Sequence, residues 1–206
     1  MDRITRLERQ KGGINRISVY VEDRFVAGLS AKAVRDLDLS PGMVADEELI
    51  SRIIREAARE SALLSLARRE HSRLELAGKL KQKQFPDRTI QIVLNQLEAQ
   101  GQLDDRRFAR AWIRRRNAYH PRGRHMLALE LAQKGISSEV IDEILSELLP
   151  HTDEEQLIID LVRKRMTIAG HADPDRFKIR LLGFLSRRGF SYDDIRRVLA
   201  EHFPEI

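Results

Sequence analysis

The spacing of apolar and polar positions divides the chain into two regimes. Near the N-terminus the period is two: Ile4 to Arg9 and Ile17 to Glu22 alternate apolar and polar side chains, and Glu22-Asp23-Arg24 can turn the chain into Phe25 to Leu29. This pattern predicts a small hairpin-based head. Ser30 is placed to cap a short helix to about Leu37, which Ser40-Pro41-Gly42 ends. Asp46, followed by Glu47 and Glu48, then opens a new helix with acids in its first turn, where the helix dipole favours them. Strand signals stop there.

After Ser61 the chain repeats itself. Leu80 to Leu94, Leu131 to Leu145 and Leu185 to Leu199 superpose without a gap, each holding a helix end, a turn at Gln84, Gly135 or Gly189, and a second helix. Glycine suits the left-handed position after a helix, so Gln84 in its place should cost the first copy some turn stability. Phe85, Ile136 and Phe190 precede the N-cap, while Ile90, Ile141 and Ile195 occupy the fourth helical position, the arrangement of a hydrophobic staple. Each copy also has a preceding helix. The first runs from Leu63 to Arg69, Asp104 caps the second to about Arg116, and Thr152-Asp-Glu-Glu155 starts the third. The expected fold is mainly α, a tandem array of three three-helix repeats with a small β-containing N-terminal extension. Its expected segments are 1–60 for the extension, then 61–103, 104–149 and 150–206 for the repeats.

Composition narrows the chemistry. The 206 residues include no cysteine, which removes disulfides, thiolate metal sites and cysteine nucleophiles. No apolar run approaches a membrane span, and Met-Asp-Arg-Ile-Thr-Arg has no hydrophobic signal core, so a cytoplasmic protein is expected. The net charge of +5 falls entirely on residues 61–149, because both flanking segments balance. Arg106 to Leu129 holds eight arginines and no Asp or Glu. Such a segment attracts a polyanion or an acidic protein face.

At about 100° per residue, Phe108, Ala109, Trp112 and Ile113 share one arc of a helix, and Arg106, Arg107, Arg110 and Arg114 share another, with no acid at i,i+4 to support them. Arg116 falls on the apolar arc and is expected to snorkel or pair locally. Tyr119-His-Pro-Arg122-Gly-Arg124-His125 combines a ring, two arginines and a flexible glycine, a mixture that single-strand binding uses and that a polar interhelical loop also shows. Gln91 and Asn95 could read bases in the first copy, but the second copy has Asp142, Glu143 and Glu147 there, which argues against three recognition helices. The histidines are scattered and phosphate-binding glycine loops are missing, so neither an enzyme nor a metal or cofactor site is expected.

Four motifs carry a resemblance. Ala62-Leu63-Leu64-Ser-Leu66-Ala67-Arg68-Arg69-Glu-His-Ser72-Arg73-Leu-Glu75-Leu76, Leu103-Asp104-Asp105-Arg-Arg-Phe108-Ala109, Glu130-Leu131-Ala-Gln133-Lys134-Gly135-Ile136 and Leu185-Ser-Arg187-Arg188-Gly189-Phe190 resemble, in order and spacing, the RecX family of RecA regulators. The resemblance covers about 61–203, and residues 1–60 are similar to an N-terminal extension found in part of that family. It implies a non-enzymatic modulator that lodges in the groove of a RecA filament on single-stranded DNA and inhibits ATP hydrolysis and strand exchange. A monomer that binds naked single-stranded DNA only weakly is expected. The candidate RecA- or DNA-binding residues are Arg68, Arg69, Arg73, Arg106, Arg107, Arg110, Arg114, Arg115, Arg122 and Arg124. The rival reading is a helix-turn-helix transcription regulator.

Overall fold

Strands β1 (Ile4–Arg9), β2 (Arg16–Val21) and β3 (Arg24–Ser30) form an antiparallel sheet in that order, as the alternation predicts. The computed structural model describes residues 2–10, 15–169 and 174–204. Glu22 and Asp23 both have positive φ, 46° and 60°, the conformation of a two-residue turn whose twist matches the strands it joins. A bulge places Val26 outside the register between Ala27 and Phe25. Val19, Val21, Ala27 and Leu29 form the buried face.

Ser30 caps α1 (Ala31–Asp36) by accepting the Ala33 amide at 3.0 Å. Asp46 caps α2 (Glu47–Leu66) by accepting the Leu49 amide at 2.8 Å. Helix α2 serves two cores. Its Leu49, Ile53 and Ala57 close the core of the sheet, whereas Ala58 and Ala62 belong to the core formed with α3 (Arg73–Gln82) and α4 (Asp87–Ala99). Phe85, in the α3–α4 turn, packs against both.

The other two repeats are α5 (Asp105–Tyr119), α6 (Arg124–Gln133) and α7 (Ser138–Leu148), then α8 (His151–Ala169), α9 (Pro174–Ser186) and α10 (Tyr192–His202). Helix α5 runs to Tyr119, about a turn beyond the expected Arg116. Helix α8 starts at His151, so Thr152 lies inside its first turn, and the Pro150 carbonyl accepts the Asp153 and Glu154 amides at 3.0 and 3.1 Å. The chain folds as two compact units, Met1–Asp104 and Asp105–Ile206.

The repeated turn is the same object three times. Gln84, Gly135 and Gly189 have φ of 63°, 80° and 85°. In each, the amide of that residue donates to a carbonyl three residues back, and the next amide (Phe85, Ile136 or Phe190) reaches the carbonyl five back at 3.2 to 3.3 Å. This pair of bonds satisfies carbonyls that a helix end leaves open. The staple residues Ile136, Ile141, Phe190 and Ile195 are buried, and in the first copy Phe85 is half-buried over a buried Ile90.

In the second unit, the α5–α6 connection is fixed to the turn of the last repeat. The Gly123 amide donates to the Arg188 carbonyl at 2.8 Å, and the Arg188 guanidinium donates to the Pro121 carbonyl at 3.0 Å. A Cβ on Gly123 would stand 2.3 Å from the Gly189 carbonyl oxygen. The expectation of a flexible glycine is therefore corrected: Gly123 is buried, and only a residue without a side chain permits this approach. Glu154 of α8 accepts the Arg124 amide at 2.8 Å, so a carboxylate meets the open N-terminus of α6.

Candidate functional site

Helix α5 has one packed side and one cationic side, as its spacing predicts. Phe108, Ala109 and Ile113 are buried, and the Trp112 ring lies 5.8 Å from that of Phe108. The cationic side departs from expectation, because acids of another helix support it. Arg106 pairs with Glu143, and Arg110 donates through Nε and Nη2 to Glu147 Oε2 at 3.0 and 2.8 Å. Those hydrogen bonds, with the charges of Arg110 and Arg114 behind them, hold the Glu147 carboxyl below the ordinary carboxylate range. A helix wheel registers only i,i+3 and i,i+4 neighbours, so it cannot show a partner on a packed helix.

The remaining candidates of this unit divide by what they touch. Arg107 is half-buried and engaged. The Arg124 guanidinium donates to the Leu145 and Leu149 carbonyls at 2.9 and 2.5 Å, closing the C-terminal end of α7. Arg122 Nε lies 4.0 Å from Glu130 and has no hydrogen-bond partner among the described residues. Arg116, on the apolar arc, pairs locally with Glu130 at 2.7 Å, and Trp112 Nε1 donates to the same oxygen at 2.8 Å. Arg114 and Arg115 are exposed, with the Arg115 guanidinium 5.0 Å from the Trp112 ring centre.

The C-terminal end of α5 borders a groove of about 760 Å³ whose lining includes Tyr119, His120, Lys164, Arg165, Phe184 and Arg188. Tyr119 is 76% exposed. Arg165 and Arg188 stand 4.0 and 4.5 Å from the Phe184 ring. Burial, then the charges of Arg122 and Arg165, push the Arg188 guanidinium below its ordinary value, so cations crowd here. Among the described residues Asp160 is the one acid in the lining, and it accepts from Gln156 at 2.9 Å. Sequence reasoning missed Lys164, Arg165 and Arg188, because a charge sum over the last repeat balances. The signal that could have found them is the 3.6-residue spacing of Leu157, Leu161, Lys164, Arg165 and Ile168 on α8.

In the first unit, Arg69 donates to Glu75 at 2.9 Å and to the Glu70 carbonyl at 2.7 Å. Arg73 pairs with Glu98 and donates to the side-chain oxygens of Gln91 and Asn95, both at 2.8 Å. These are the two amides that a base-reading helix would need. Arg68 is exposed and, among the described residues, pairs with no acid. No metal-ligating cluster occurs among the described residues, and no helix among them is long and apolar enough to cross a membrane.

The architecture is that of a tandem three-helix-repeat protein with a three-stranded head. Each repeat matches a family model in order: RecX first three-helix domain at 58–97, second at 104–145 and third at 153–199. The chain belongs to the RecX family. It is 28% identical over 199 residues to "Regulatory protein RecX" of Clostridium perfringens (strain 13 / Type A), covering 94% of this chain and 92% of that protein. The protein of the same name from Chlorobium phaeobacteroides (strain BS1) is 37% identical over 142 residues, covering 69% of this chain and 91% of its own. Among solved structures, "Crystal structure of regulatory protein RecX" aligns over 98% of this chain and all of its own at a TM-score of 0.65 and 21% identity, a likeness of fold.

Proposed function

We propose that this chain is a non-enzymatic modulator of the RecA recombinase, lodging in the groove of RecA filaments on single-stranded DNA and lowering ATP hydrolysis and strand exchange. The family's regulatory name supports the class of role. The observation that carries the reading is the surface of the second unit, where a groove holds the exposed Tyr119 ring and the Lys164, Arg165 and Arg188 cations with Phe184, and where α5 also exposes Arg114 and Arg115. Ring faces beside cations suit single-stranded nucleic acid, and the same cations meet acids of a protein groove. The transcription-regulator reading loses its base readers, since Gln91 and Asn95 are held by Arg73.

The reading includes action as a cytoplasmic monomer with weak affinity for naked DNA. Its test is the RecA ATPase on single-stranded DNA, titrated with this protein: hydrolysis should fall at equimolar protein or below, and undiminished hydrolysis and strand exchange at saturation would end the proposal. Arg114→Glu with Arg115→Glu should weaken inhibition and flatten the salt dependence of binding by about 0.7 log units for each phosphate no longer neutralised. Lys178→Glu with Arg180→Glu, an equal change of charge on α9, should do neither.

A further inference from the structure

A second concave surface lies in the first unit. It runs between β3 and the α3–α4 turn with α2 beneath it, and has a volume of about 660 Å³. Its apolar wall is formed by Phe25, Val26, Ile54, Leu64, Phe85 and Pro86. Phe25 and Leu64 are 58% and 56% exposed, leaving large apolar groups open to water on both sides of the cleft. The first family model begins at residue 58, so the Phe25 side lies outside all three.

Two cations reach the cleft without meeting a carboxylate among the described residues. Arg16 donates to the Gly28 carbonyl at 2.6 Å, and Lys83 donates to the Ser61 hydroxyl at 2.6 Å. Among the described residues, no Asp or Glu lines the cleft. Glu60, on α2, is taken up by the Ser30 amide at 2.9 Å. Burial, then the like charges of Arg16, Lys79 and Arg68, hold the Lys83 ammonium below its ordinary value, the condition of a cation lacking a counter-charge. Two partly desolvated cations beside open apolar walls are unfavourable in the free protein, and an occupant with the opposite sign and an apolar group relieves both costs.

We propose that this cleft docks an acidic, extended segment of a partner protein, which sets an aliphatic or aromatic side chain against Phe25, Leu64 and Phe85 and carboxylates against Lys83 and Arg16. A peptide fits better than a nucleic acid because most of the wall is aliphatic, and Phe85 is half-buried between two cores, whereas a nucleic-acid strand needs open ring faces. Pairing along the β3 edge is already limited, since the Ser30 amide and the Gly28 carbonyl are engaged, so side chains rather than strand addition hold the occupant. The proposal goes beyond the filament reading and does not depend on it.

The test uses the full chain and a fluorescein-labelled synthetic peptide that alternates Glu and Asp with Leu and Phe. Its comparison probes are a peptide with Ser for every Leu and Phe, and a labelled oligothymidine. Anisotropy should show the first peptide binding well above the serine peptide. Lys83→Glu should weaken it at least about tenfold, as should Phe25→Ser with Leu64→Ser, each with unchanged dichroism. Lys83→Gln, which keeps a hydrogen-bonding group for Ser61, should weaken it less. Equal binding of the serine peptide, or binding unmoved by the Lys83 and Phe25/Leu64 variants, would overturn the proposal. Oligothymidine displacing the peptide, with affinity lost in the same variants, would overturn it in favour of a nucleic-acid site.

Discussion

Gln84 is the residue at which the chain departs from its own pattern. It sits at φ 63°, where a side chain costs about 1 to 2 kcal/mol and glycine costs nothing beyond its extra freedom in the unfolded chain, about 0.5 to 1 kcal/mol. Gln84→Gly should therefore stabilise the first unit by about 0.5 to 1 kcal/mol in urea unfolding. The reverse change, Gly189→Ala, should cost much more than conformational strain alone, because its Cβ would stand 2.4 Å from Met126 Cβ and 2.5 Å from the Met126 amide nitrogen. A second residue ties stability to pH. His71 is buried, and its Nδ1 lies 3.1 Å from Glu75 Oε2. Burial lowers its affinity for a proton, the Arg69 and Lys79 charges add to that, and the Glu75 hydrogen bond opposes it without prevailing. As pH falls, the unfolded imidazole takes its proton first. The contribution of His71 is thus complete above about pH 6.5 and is lost as pH drops towards the lower folded value. Unfolding measured between about pH 7.5 and 5 should show this decline, and His71→Leu should flatten it; an unchanged slope would remove His71 from the account.

Among the elements, the repeats were readable because their turns demand particular residues at fixed offsets: a left-handed residue, then an apolar residue before the N-cap, then an isoleucine five places on. Burial of that isoleucine gives a direct test. Ile141→Ala and Ile195→Ala should each destabilise the second unit by about 2 to 5 kcal/mol, as loss of a buried large side chain does, and effects under about 0.5 kcal/mol at both would mean that the staples carry no weight. The partners of the α5 arginines were not readable. Arg106 meets Glu143 and Arg110 meets Glu147, both across 37 residues. That common offset follows only once α5 and α7 are known to run side by side in the same direction. Loss of one such exposed pair should cost little, about 0 to 1 kcal/mol, so Arg110→Ala should barely move the melting temperature of the unit.

For the whole molecule, the strand head, the three repeats and the basic excess could all be read from pattern and composition, because each rests on local periodicity. Two features of the surfaces could not. The groove around Phe184 combines cations from α8 and from the turn after α9, and the cleft beside Lys83 combines β2, β3, α2 and the α3–α4 turn, so both depend on distant segments meeting. Gly123 shows the same limit from the other side. Its neighbours in sequence suggest freedom, while its neighbour in space, Gly189, removes it.

One consequence of α2 concerns angular phase. Ala57 faces the core of the sheet and the adjacent Ala58 faces the core of the first repeat, so the azimuth between head and repeat is set by a single step of the helix, about 100° and 1.5 Å. An alanine inserted between them would act as a rotation rather than as added length. It would turn Phe25 away from Lys83 while leaving Lys83 beside Ser61, because those two lie on the same side of the insertion. The variant should melt earlier than the parent chain, and its head and first repeat should behave as separately geared parts. The same residue added to the connection between β1 and β2 would change the contour of the chain and leave the gearing untouched.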